Sequence, residues 1–250
     1  MHGGRWNAVH GGYFSDAAIA RPLVLKALEL AAASNAELVA DLGGGNGFVL
    51  SELLANAGNF HISGINLDGS DRQVACARNR GITSVQGTVD AFERDDLGKE
   101  FSRILFLMRS VLHYFGQAGQ DRVLSHIRSQ AKPGDHFIHQ TASFKDAGDA
   151  DCINCLYEMM QTGKWYPSVE AMSAKLKATG WQLLDVLPAA PLALSSDSLA
   201  DRYSLDKHSL DQIRNHLALN YDVQEDVFRS SHHEFCAYLH YWIYVCRACE

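Results

Sequence analysis

The chain has 250 residues, 47% of them apolar, 20% charged and 10% aromatic, an ordinary globular composition that excludes fibrous, collagen-like and disordered readings. At this length roughly three quarters of the unfolded surface is buried, so the core needs no staple, and six cysteines are too few for a disulfide scaffold. The 22 Lys and Arg against 29 Asp and Glu leave a net charge of -7, which weighs against a partner bound by phosphate neutralisation and hence against nucleic acid.

Residues 1–16 carry Gly3, Gly4, Gly11 and Gly12 around Trp6, Tyr13 and Phe14 and read as a flexible arm that lies over something. The start MHGGRWNAVHGGYF lacks a basic segment followed by an apolar run, so no secretory signal is expected and the expected location is the cytoplasm. From Asp16, a candidate N-cap, ARPLVLKALELAAA has helical spacing. ELVADL is a first strand, followed by the glycine loop GGGNG and the helix FVLSELLANAG closed by Gly58. HISGINLD, ITSVQG, RILFLM and DHFIHQTASF follow as strands two to five, separated by the helices SDRQVACARNRG and QDRVLSHIRSQ, the latter stopped by Pro133 and Gly134. Alternation at this spacing implies a parallel sheet with helices on both faces. Beyond Lys145 the pattern loosens: a polar and aromatic stretch over 145–167, the helix SVEAMSAKLKATG, a sixth strand WQLLDVL, a mainly helical stretch over 192–234, and the last strand CAYLHYWIYVCRA. That final run is interrupted by His240 and too short to span a bilayer, so no membrane partner is expected.

The segment with most chemistry is Val39-Ala40-Asp41-Leu42-Gly43-Gly44-Gly45-Asn46-Gly47. Glycines let a backbone turn sharply and approach a ligand, and the helix that follows offers free N–H groups. A dinucleotide fingerprint G-x-G-x-x-G fits poorly: counted from Gly43 the third position is Phe48, and counted from Gly44 the second is Asn46.

The D-x-G-x-G-x-G form resembles the first motif of the class I S-adenosylmethionine (SAM)-dependent methyltransferases, and three further segments resemble that family in the same order. G-I-N-L-D-G-S is similar to the family's second-strand end, which holds the ribose hydroxyls, and places Asn66 where an acid is usual, with Asp68 two residues on and on the same face. V-Q-G-T-V-D-A-F-E is similar to the stretch after the third strand, mapping the adenine contacts to Asp90 and the Ala91 backbone. R-I-L-F-L-M-R-S-V-L-H-Y-F looks like the fourth strand and its exit, and Lys132-Pro133-Gly134-Asp135 like the turn before the fifth. These segments span residues 39–144; from Lys145 onward no particular subfamily is recognisable.

The resemblance implies an α/β, Rossmann-like fold: a seven-stranded, mostly parallel sheet with the last strand antiparallel, helices on both faces and an N-terminal helical cap. It implies one domain over 1–250, with a cap or lid over 1–35, a SAM-binding half over 36–144 and a substrate-side half over 145–250 carrying an insertion at 192–234. It implies SAM as cofactor, S-adenosylhomocysteine as product, and cofactor contacts from Asp41, Gly43, Gly45, Asn66 or Asp68, Asp90 and Ala91. The expected activity is O-, N- or C-methylation of a small molecule, a secondary metabolite or amino-acid-like compound. A catalytically silent SAM-binding scaffold and a SAM-dependent cyclase or lyase are the alternatives. A homodimer is compatible with the sequence.

For the chemistry, His113 and His139 are the candidate bases, since an imidazole titrates near neutrality and both lie at strand exits. Arg109, unusual at a strand end, is a candidate for a carboxylate of cofactor or substrate, or for an ion pair with Asp90. Gln140, Asn154, Tyr157, Gln161 and Trp165 are candidate substrate contacts, and Tyr13, with Trp6 and Phe14, a candidate lid. Cys152-x-x-Cys155 and Cys246-x-x-Cys249 have zinc-like spacing, but they fall in a predicted helix and on the last strand without a glycine turn, so they read as buried thiols. His232, His233 and Asp151 add no spacing that requires a metal, and none is expected.

Overall fold

ELVADL and RILFLM are apolar nearly throughout, so each must be covered on both faces. In the computed structural model, which describes residues 9–249, β1 (Leu38–Leu42) and β4 (Ile104–Arg109) are buried at every position and pair in parallel at the centre of a sheet. β2 (Ser63–Asp68) and β3 (Ser84–Gln86) extend the sheet beyond β1, and β5 (His136–Ala142) lies beyond β4, all parallel. β8 (Phe235–Ala248) is antiparallel to β5 and to the edge strand β6 (Trp181–Ser195), giving the order β3-β2-β1-β4-β5-β8-β6.

Strand alternation sorts the core. Val39, Leu105, Leu107 and Ile138 pack against α1 (Ala17–Ser34), α2 (Phe48–Asn56) and α3 (Asp71–Asn79). Leu38, Ala40, Phe106 and Phe137 face α4 (Gly116–Gln130) and α6 (Val169–Ala178). A third cluster joins α5 (Ala147–Met159), α7 (Ser196–Tyr203), α8 (Lys207–Asn220) and the far ends of β6 and β8 with Tyr13. Asp16 caps α1 as its sequence position predicts, accepting from the N–H groups of Ala18 at 2.7 Å and Ile19 at 3.3 Å.

Two details differ from the sequence reading. A short β7 (Phe228–Ser230) pairs with the start of β8, adding an eighth strand off the main path. β6 runs on to Ser195, with irregularities between Leu183 and Asp185 and between Ala189 and Leu192, so residues 192–195 are strand rather than helix. Pro188 and Pro191 fit there because an edge strand leaves half its N–H groups unpaired. The helix expected around Cys152 and Cys155 is α5, within the polar stretch over 145–167, and it buries Cys152, Ile153 and Leu156. Cys246 is buried too, whereas Cys249 is exposed, and all six cysteines are free. Among the described residues no helix is long and apolar enough to cross a membrane.

The Lys132–Asp135 turn shows how local sequence locks this topology. Asp135 is fully buried; its carboxylate accepts from the Lys132 N–H at 2.8 Å, the Ile104 N–H at 2.9 Å and the Arg94 guanidinium at 2.5 Å. One side chain thus ties the end of α4 to the first residue of β4.

Candidate active site

In an open parallel sheet, ligands sit where the strand order reverses, at the carboxyl ends of the two central strands. Here that place is the ends of β1 and β4, and a cavity of about 570 Å³ lies over them. Its floor is the glycine loop. Gly43, Gly45 and Gly47 have φ of +71°, +59° and +73°, a region costly for any residue with a Cβ. Gly44, between them, has an ordinary φ but no room: a Cβ would lie 2.3 Å from both Asp41 Oδ2 and Asn66 Oδ1.

The two polar residues at the end of β2 have separate tasks. Asn66 is fully buried and donates its amide to Gly45 O at 3.1 Å and Ser84 Oγ at 2.9 Å, behind the loop and outside the cavity lining. Asp68 lines the cavity and accepts from the Gly45 N–H and the Ser70 N–H, each at 2.9 Å. A carboxylate has about four acceptor positions, so roughly two remain for a ligand.

Asp41 is fully buried at the edge of the cavity, and neither carboxylate oxygen has a hydrogen-bond partner. Burial, then the neighbouring Asp68, raises its pKa to about 7, against a weaker pull from Arg109. Arg109, at the end of β4, also lines the cavity. Its guanidinium donates to the carbonyls of Phe14 and Tyr13 at 3.4 Å and lies 5.5 Å from both ring centroids, anchoring the segment Val9–Ser15 over the strand ends. Burial pulls its pKa down.

Of the residues singled out in the sequence, Asp41, Gly43, Gly45, Asp68 and Arg109 meet at this cavity, with Phe14 at its rim. Trp6 lies outside the described residues. Tyr13 is buried, stacked on Tyr241, with its hydroxyl on Ala190 O and its pKa pushed up to about 12 by burial. Asp90 and Ala91 stand apart from the cavity. The Asp90 carboxylate pairs with Arg122 at 2.8 Å rather than with Arg109, and the Ala91 N–H is spent on Thr88 O at 3.1 Å; Gly87, Thr88 and Val89 form that wall.

The histidines also lie elsewhere. His139 is fully buried between Phe137 and Tyr244, ring centroids 4.8 and 4.9 Å away, with Nδ1 2.7 Å from Thr141 Oγ1, and burial lowers its pKa to about 3. It projects to the α4 and α6 face, because it alternates with Ile138 and shares parity with Phe137. His113 is buried and stacked on Tyr166 at 5.3 Å, behind Tyr114, which does line the cavity. Gln140, on the opposite face from His139, donates to Tyr13 Oη at 3.4 Å. Asn154 clamps Tyr166, accepting from its N–H and donating to its carbonyl at 2.8 Å each; with Gln161 and Trp165 it lines a second cavity of about 480 Å³. Tyr157 is buried against Tyr166.

Some site residues carry no sequence signal. Ser110 follows the fourth strand with φ +60°, lines the cavity and bonds Tyr241 Oη at 2.8 Å. Such a φ costs a serine about 1–2 kcal/mol. Lys164, which lines the second cavity, donates to Tyr203 Oη at 2.8 Å across two unrelated stretches that meet only in the fold.

The sheet order, with β8 antiparallel between β5 and β6, and the glycine loop ending β1 define a class: the Rossmann-like fold of the SAM-dependent methyltransferases. No protein-family model matches the chain, and no curated protein matches it. Solved structures do. The YcgJ protein of Bacillus subtilis superposes with a TM-score of 0.65 at 16% identity, over 90% of this chain and 99% of that one. Human N-acetylserotonin methyltransferase, solved in complex with SAM, gives 0.55 at 13%, over 97% of this chain and 59% of that one. The [4+2]-cyclase SpnF gives 0.55 at 18%, over 91% and 80%. At these identities the likeness is one of fold.

Proposed function

We propose that this protein is a SAM-dependent methyltransferase acting on a small molecule. The observation that carries the reading is Asp41: a fully buried carboxylate with both oxygens unpartnered, beside a glycine loop whose backbone a ligand can approach. Such a group is costly unless a donor arrives, and a cationic ammonium is the donor that suits it best. The cofactor's methionyl end carries one. Asp68 has acceptor capacity left for a ribose diol, and the wall of Gly87, Thr88 and Val89 suits the flat face of a base.

When bound, SAM supplies a methyl group on a sulfonium that is already a good leaving group. The protein's part is then to place the acceptor and keep water out, and positioning of this kind is worth roughly 7–11 kcal/mol. Phe14, Val111, Tyr114 and Phe115 form an apolar rim suited to excluding water. His139, neutral and enclosed, is not assigned a proton-transfer role. His113 acts as a base only if Tyr114 turns aside, so we assign it to packing. The cytoplasm and a small-molecule acceptor remain parts of the same proposal.

The likeness to a [4+2]-cyclase supports a second reading, a SAM-binding enzyme that does not transfer methyl, because a fold alone does not fix chemistry. Calorimetry with SAM and S-adenosylhomocysteine tests the binding, and binding by neither would refute both readings. Incubation with methyl-labelled SAM and a metabolite extract separates them: a labelled product one methylene heavier supports the transferase, and an unlabelled isomerised one the cyclase.

A further inference from the structure

Lys164 stands in the loop after α5 and lines the second cavity, of about 480 Å³, beside Gln117, Glu158 and Gln161. The side chain is half-buried. Its Nζ donates to Tyr203 Oη at 2.8 Å and lies 5.0, 5.3 and 5.5 Å from the ring centroids of Tyr114, Tyr157 and Tyr203. Among the described residues no acid forms an ion pair with Lys164; the Glu158 carboxylate shares the cavity without pairing with it. Burial raises the pKa of Tyr114, Tyr157 and Tyr203, so none of these phenols supplies the negative charge that would hold the proton on the amine.

Cation–π contacts with the three rings return only part of the hydration that an ammonium gives up there. Burial, then the Arg202 charge, accordingly draws the Lys164 pKa down to about 7. Near neutrality about half of the side chain is then free amine, against fewer than about one in a thousand for an exposed lysine. A lysine desolvated among apolar rings, with a second cation near it and a cavity beside it, has the arrangement that turns an amine into a nucleophile. The bond to Tyr203 uses one N–H of the amine and leaves its lone pair available.

We propose that Lys164 is a nucleophilic amine and that the second cavity takes a short hydroxylated aldehyde, which the amine holds as an imine. The nitrogen lone pair forms the N–C bond while the carbonyl π pair moves to oxygen, and a proton passes from nitrogen to that oxygen. The remaining N–H proton and the hydroxyl then leave together as water, the C=N bond forms, and nothing is oxidised or reduced. The groups that face the amine are Tyr114 from the Leu112–Phe115 turn, Tyr157 from α5, and Arg202 and Tyr203 from α7. Glu158 of α5, on the same cavity, is the carboxylate that can carry the proton from nitrogen to oxygen. The carboxamides of Gln117 and Gln161 offer donors and acceptors for a ligand hydroxyl, whereas that of Asn154 is taken by the Tyr166 backbone. This cavity shares no lining residue with the one over β1 and β4, and the inference does not depend on the methyltransferase reading.

The test is reductive trapping on the full chain, with glycolaldehyde and sodium cyanoborohydride, followed by proteolysis and mass spectrometry of the peptides. Near pH 7, Lys164 should gain the adduct at least about tenfold faster than any exposed lysine. Its rate relative to the exposed lysines should then fall by close to about tenfold per pH unit above 7, because their free-amine fraction keeps rising while that of Lys164 levels off. Propanal, which lacks the hydroxyl, should show a preference for Lys164 at least about threefold smaller. Lys164→Arg should lose the adduct while circular dichroism reports an intact fold, because a guanidinium stays charged. No adduct at Lys164, a rate no greater than that of the exposed lysines, or a relative rate that stays constant with pH would overturn the proposal. An equal preference with propanal would overturn the hydroxylated class of ligand. Calorimetry with S-adenosylhomocysteine reads the cofactor cavity separately, so failure of either reading is seen without the other.

Discussion

The amide oxygen of Asn66 and the carboxylate of Asp41 converge beneath Gly44, each 2.3 Å from the point a side chain there would occupy. The orientation of Asn66 is fixed by chemistry: its nitrogen faces Gly45 O, which can only accept, so its oxygen is the atom left pointing to Asp41. Two acceptors then meet with no donor between them. A proton on Asp41, or a donor that a ligand brings to it from the cavity, relieves the carboxylate.

This sets the pH behaviour. The Asp41 pKa is raised from 3.8 to about 7, so between those values the folded protein holds a proton that the unfolded chain releases. Stability of the ligand-free protein should therefore fall as pH rises through that window, by up to about 1.4 kcal/mol per pH unit from this group. Cofactor affinity should run the other way, weakening up to about tenfold per unit below pH 7, because an ammonium needs the ionised carboxylate. Asp41→Asn should flatten the first dependence and abolish cofactor binding. Urea denaturation and calorimetry across that range check both.

Two glycine substitutions should diverge. Gly44→Ala forces a methyl into Asp41 and Asn66 and should cost the cofactor site about tenfold or more in affinity. Gly148→Ala, in α5 with nothing within 4 Å of the new carbon, should stabilise by about 0.5–1 kcal/mol and leave binding alone. Thermal melts with and without S-adenosylhomocysteine separate the two effects.

Asp135→Ala should be among the most damaging single changes, destabilising by about 3–5 kcal/mol. It leaves the Arg94 guanidinium and the Ile104 and Lys132 N–H groups without their shared acceptor. Denaturant midpoints read this directly. Asp135→Asn should recover part of the loss, since an amide oxygen still accepts.

His139→Phe should leave turnover unchanged and improve acid tolerance. The buried imidazole has its pKa depressed from 6.5 to about 3, so its contribution to stability is complete above pH 6.5 and is lost as pH falls toward 3. Melting temperatures of the two proteins should converge near neutrality and separate below pH 6. A large drop in kcat at neutral pH would instead return the base role to this residue.

The sequence by itself determined the sheet and the loop. Apolar runs of strand length alternating with capped helices leave few topologies, and glycines at 43, 45 and 47 stand where the backbone takes positive φ. It also brought Asp41, Asp68 and Arg109 to one cavity, because in a parallel sheet successive strand ends share one edge. What it could not determine is which way a strand-end side chain turns or what meets it there. Asn66 and Asp68 have the same parity, yet one braces the loop and the other faces the cavity. Asp90 is claimed by Arg122, a residue on α4. Lys164, Tyr114 and Tyr203 come from three segments with no shared pattern, and only the packing of the whole fold brings them into contact. Local periodicity fixes elements; the pairing of buried charges is a property of the whole fold.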